Sequence, residues 1–165
     1  MQSTFPQHPR LNCFDYAAGS FDRDVNPLAV LKSLVEHGGQ SARSSALPIA
    51  ASYPFRPASE CIEILAYQID HGAPINTRER EWRLERHEHC RSRMMKGTLL
   101  HVAVRRMDEE LLDFLLDRGA DPMMEDWSGC TALTVKGWRG DPNWEVVRDK
   151  LLRAVEASSS PRDFW

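Results

Sequence analysis

An all-α solenoid of paired antiparallel helices with short β-hairpin loops is the fold class that three observations predict. First, an apolar helical run ending in a basic residue or His and then glycine is written three times. It appears as LKSLVEHGG at 31–39, ILAYQIDHGAPIN at 64–76 and LLDFLLDRGADP at 111–122. Second, Thr98-Leu99-Leu100-His101-Val102-Ala103 is followed 33 residues later by Thr131-Ala132-Leu133-Thr134-Val135-Lys136. Third, Leu111, Leu112, Leu115 and Leu116 follow i, i+1, i+4, i+5 spacing and form one wide apolar stripe. A lone helix pair cannot bury such a stripe, so the pairs must stack on one another.

The elements follow in order. CFDYAAG and LAVLKSLVEHGG, spanning 13–19 and 28–39, form a worn first helix pair. Gly38 stands just past the second helix, where a left-handed residue is cheapest, and Gly72 and Gly119 repeat that placement. A second pair begins at Ser45-Ala46-Leu47-Pro48-Ile49-Ala50-Ala51, and SYPFRPAS lengthens the link to a helix over Glu60–Asp70. The third pair is the cleanest: LLHVAVRR, a polar break at Met107-Asp108-Glu109, then ELLDFLLDR. Arg118 at its end suits the negative pole of the helix. ADPMMEDWSG follows, and its Asp126-Trp127-Ser128-Gly129 carries hairpin-turn chemistry. A last copy runs from Thr131 to about Val155, with extra residues around Asp141-Pro142-Asn143-Trp144.

Composition sets outer bounds. With 165 residues, 42% apolar and 27% charged, the chain suits one soluble domain with a real core. A net charge of -3 gives no overall reason to expect a nucleic-acid binder. No apolar run nears the roughly 18 residues that a membrane helix needs, and MQSTFPQHPR lacks a secretory h-region. Cys13, Cys61, Cys90 and Cys130 are spread too widely for a C-x-x-C pair and are expected as reduced, mostly buried thiols of an intracellular protein, cytoplasmic or nuclear.

With motif, spacing and period in hand, Gly97–Asp121 resembles the ankyrin repeat family: G-x-T-P-L-H-x-A, then a second helix with paired Leu or Val, then L-L-x-x-G-A-D. Leu99 takes the proline position of that pattern, and Pro48 stands in the earlier copy where histidine is usual. The resemblance implies about four repeats, two of them degenerate. The domain boundaries expected are 1–10 for an N-terminal extension, 11–156 for the repeats and 157–165 for a C-terminal tail.

One segment breaks the period. Gly72-Ala73 and Gly119-Ala120 lie 47 residues apart rather than 33, and the excess falls in REREWRLERHEHCRSRMMK, from Arg78 to Lys96. We place the insertion at about 80–96. It holds seven Arg or Lys against four Glu, the one locally basic stretch of an acidic chain. It is either a solvated helical extension, with Glu and Arg at i, i+3 and i+4 distances, or an arm contacting an acidic or phosphate-bearing partner. Trp82, Arg83 and Arg86 are the contacts the second reading would use.

Motifs for chemistry are few. His87-Glu88-His89-Cys90 contains zinc-ligand types, yet alternate residues of a helix point apart and no second cluster follows at finger spacing. Cys130 has no His or acid tied to it by motif, and no phosphate loop, G-x-S-x-G or H-E-x-x-H is present. No catalytic residue, metal or cofactor is therefore expected. The resemblance implies that His101 ties its helix start to the neighbouring hairpin by hydrogen bonds.

It also implies a non-catalytic adaptor or scaffold that binds a protein partner on a concave surface, without membrane or nucleic acid, and as a monomer. The outward positions of the family pattern fall on Trp127, Ser128 and Cys130, on Arg105 and Arg106, and on Trp138 and Arg139. Trp and Arg are the types most enriched in binding hot spots. Two rival functions remain: a nucleic-acid or phosphate-binding adaptor using the basic insertion, and a regulatory fragment of a larger enzyme.

Overall fold

The computed structural model describes residues 13–18, 26–40, 46–51, 56–78, 97–126, 128–135 and 141–159. The insertion expected at about 80–96 and the extension at 1–10 lie outside these residues. Seven helices occur among them: α1 (Cys13–Ala18), α2 (Pro27–Glu36), α3 (Ala46–Ala51), α4 (Ala58–Asp70), α5 (Leu99–Arg106), α6 (Glu109–Asp117) and α7 (Trp144–Ser159). The chain is helical here. Extended pairing among the described residues is limited to one isolated antiparallel bridge, Glu125 with Thr131.

Local chemistry starts and stops the outer helices. Asn26 caps α2 by accepting from the backbone N–H groups of Leu28 and Ala29 at 3.0 and 3.3 Å, and Pro27 opens the first turn. Asp108 caps α6 by accepting from the Leu111 N–H at 3.1 Å. The stops are identical in kind. Gly38, Gly72 and Gly119 adopt φ of +84°, +86° and +86°. After each helix the glycine N–H bonds the carbonyl three residues back, and the next N–H reaches five residues back: Gly39 to Leu34, Ala73 to Gln68 and Ala120 to Leu115, at 2.9–3.0 Å. This paired bonding satisfies carbonyls that the helix leaves open, and it explains why glycine follows each apolar run.

The helices pair in sequence, α1 with α2, α3 with α4 and α5 with α6. They also form two rows, α1–α3–α5 and α2–α4–α6–α7. A single apolar core runs through both, from Ala17 and Ala18 on α1 to Val147 and Leu151 on α7. Leu111, Leu112 and Leu115 are fully buried in it, whereas Leu116 is only half-buried against its edge. The stripe on α6 is thus narrower than its spacing suggests.

Three further expectations need revision. The start of the last copy, Thr131–Val135, makes a single turn rather than a helix. The Thr134 hydroxyl accepts from the Thr131 N–H at 2.8 Å and donates to its carbonyl at 3.2 Å, so side chain competes with helix. Helix α7 extends to Ser159, beyond the expected boundary at 156. Of the described cysteines only Cys61 is buried, Cys13 being exposed and Cys130 half-exposed. No helix among the described residues is long and apolar enough to cross a membrane.

Candidate interaction surface

The loop after α6 is held from within by one carboxylate. Asp126, 5% exposed, accepts from the Ser128 and Cys130 N–H groups through Oδ1 at 2.7 and 3.0 Å. Its backbone N–H donates to the Cys130 carbonyl at 2.7 Å, and its Oδ2 meets Arg105 Nη2 at 3.3 Å. Burial alone would raise the Asp126 carboxyl pKa. The Cys130 and Ser128 N–H donors, with the Arg105 guanidinium nearby, outweigh that and hold it below the ordinary value. Gly129 closes the turn at φ +73°.

His101 joins this loop to α5. Its Nε2 lies 2.8 Å from the Cys130 carbonyl, which can only accept, so the proton sits on Nε2. The bare Nδ1 then accepts from the Thr98 N–H at 3.2 Å and lies 2.9 Å from the Thr98 hydroxyl. Desolvation lowers the His101 pKa, so the ring stays neutral. Gly97 makes room for this arrangement. At φ +117°, a Cβ there would sit 2.7 Å from His101 Cγ and 3.0 Å from Asp126 Cβ. The family-implied tie from helix to loop is what these bonds make.

The candidate contact residues separate into three groups. Ser128 is exposed and Cys130 half-exposed, on the outer side of the Asp126 turn. Arg105 and Arg106 do not occupy outward positions. Arg105 is 9% exposed and pairs with Asp126. Arg106 donates through Nη1 to the Ala51 carbonyl and through Nη2 to the Arg56 carbonyl, both at 3.0 Å, and also meets Asp108 at 3.2 Å. Position at the end of a first helix suggested exposure, but the open carbonyls of the preceding helix pair draw this guanidinium inward. Trp127, Trp138, Arg139, Trp82, Arg83 and Arg86 lie outside the described residues, as does the His87–Cys90 run. Among the described residues no group of three His, Cys, Asp or Glu side chains could hold a metal ion.

Sequence reasoning missed three contributors. Met123, at 54% exposed, is the most open large apolar side chain among the described residues. Its N–H bonds the Asp121 carboxylate at 2.8 Å, a short-range turn that the Asp-x-Met spacing could have revealed. Asn76 donates to the Gly119 carbonyl at 3.2 Å and accepts from the Asp121 N–H at 2.8 Å, locking consecutive loops together. Arg56 donates to the Ala18 carbonyl at 3.0 Å, at the end of α1. No sequence signal marks these last two.

Comparison with known families agrees with this geometry. The family model for the ankyrin repeat matches residues 97–127, which cover α5, α6 and most of the Asp126 loop. No curated protein matches the chain.

Proposed function

With an ankyrin repeat at residues 97–127 as premise, we propose that this chain is a non-catalytic protein–protein interaction module, an adaptor or scaffold. Ankyrin repeats are in general such modules. The two rows of helices support reading the described elements as a solenoid of about four repeats; a monomeric, intracellular chain is part of the same proposal. The observation that carries the function is the loop of residues 121–130. Asp126 and His101 consume its inward bonding capacity, and Asp121, Met123, Glu125 and Ser128 are left facing solvent on a preset backbone. A preset loop loses little conformational entropy on binding, which suits recognition rather than chemistry.

We assign the contact surface to Met123, Ser128 and Cys130, and extend it by sequence position to Trp127, Trp138 and Arg139, which lie outside the described residues. The test is capture of partner proteins by the intact chain and by Trp127→Ala/Trp138→Ala and Met123→Ala/Ser128→Ala variants. Lost capture with unchanged melting supports the surface. Capture that persists in both variants, or is lost only together with stability, removes it. Capture that collapses steeply with added salt and needs Arg83 and Arg86 would transfer the function to the basic insertion.

A further inference from the structure

We propose that the second helix pair is a built-in opening point, at which α1–α4 come away as a unit while α5–α7 remain folded. The first observation is Gln68. It occupies on α4 the position that Leu115 occupies on α6, five residues before the alanine of the Gly-Ala stop. It is 1% exposed, and neither its Nε2 nor its Oε1 has a hydrogen-bond partner among the described residues. An amide buried without partners costs free energy that a leucine there would not.

Independent features weaken the same pair. Helix α3 is six residues long and carries Pro48 at the register of His101, so no imidazole can tie its start to the following loop. Helix α4 has Pro57 at its N-cap position with no side-chain cap bond, whereas Asn26 and Asp108 cap α2 and α6. By contrast, the third pair holds the His101 and Asp126 networks and five fully buried leucines, Leu99, Leu100, Leu111, Leu112 and Leu115. Lys150 of α7 adds ion pairs to Asp113 at 2.7 Å and Glu109 at 3.3 Å.

Connectivity converts a weak pair into a larger unit. Among the described residues the pair α1–α2 packs on α3 and α4, the neighbouring pair in the two rows. In a stack of nearest-neighbour contacts, a terminal pair loses its support when the next one opens. The seam between α3–α4 and α5–α6 is closed in this structure by ties from Arg106 to Ala51 and Arg56, by Asn76 to Gly119 and Asp121, and by Arg118 to Asp70 at 2.6 Å. Opening it exposes the apolar surface of α5 and α6 that α3 and α4 cover.

Native-state hydrogen exchange on the full chain tests this. Amides of α2 and α4 should exchange at least about tenfold faster than those of α5 and α6, with a shared denaturant dependence. Gln68→Leu, and Gln68→Met should the leucine perturb the fold, should slow α2 and α4 by about tenfold or more and leave α5 and α6 unchanged. One common exchange rate for all four helices overturns the proposal. So does a Gln68 variant that slows every helix equally or none.

Discussion

The imidazole of His101 donates to the carbonyl of Cys130 at 2.8 Å, a bond that joins the first turn of α5 to a loop 29 residues further along. Its Nδ1 accepts from the Thr98 N–H at 3.2 Å, which only a neutral ring can do, and desolvation has lowered the ring pKa below its ordinary value. Because the unfolded chain takes up that proton more readily, stability from this group is full above about pH 6.5 and is lost as pH falls below it. Urea titrations at about pH 7.5 and 5.5 should show wild type losing more stability on acidification than His101→Gln does. Equal losses would mean that the ring does not titrate as placed.

Arg106 holds three acceptors contributed by different parts of the chain: the Ala51 and Arg56 carbonyls and the Asp108 carboxylate. Its side chain is only 10% exposed. Arg106→Ala strands all three and should cost about 3 kcal/mol in chemical denaturation. Arg106→Lys should recover less than half of that, since an ammonium lacks the planar fork. Full recovery by lysine would show that charge alone matters.

Two adjacent leucines on α6 should respond differently. Leu115 is fully buried, and Leu115→Ala should cost about 2–5 kcal/mol. Leu116 is half-buried, and its truncation should cost about 1 kcal/mol, in proportion to the smaller area withdrawn from water. Equal losses in a denaturant titration would contradict the orientation of the helix.

The glycines divide in the same manner. Gly119→Ala meets nothing within 4 Å and bears only the left-handed backbone penalty, about 1 kcal/mol. Gly97→Ala adds a contact of 2.7 Å with the buried His101 ring and should cost about 3 kcal/mol. Thermal melts of the two variants, compared side by side, check the ordering.

What was legible in the sequence is what short-range physics decides. The apolar stripes and the left-handed glycines at 38, 72 and 119 depend on residues within about a turn, and their spacing is written in the chain. So is the repeat itself, because Thr98, His101 and the Gly119 stop stand at positions set by one helix pair. The tertiary structure decided the rest. Arg105 turned inward because Asp126, 21 residues away, presents a buried carboxylate, and Arg106 because carbonyls 50 and 55 residues away were left open. Leu116 lost half its burial, and Gln68 was carried into the core without a partner, because stacking sets which face of each helix meets its neighbours. Partners so distant have no fixed spacing, so helix existence is local while the inward or outward fate of a long side chain belongs to the stack.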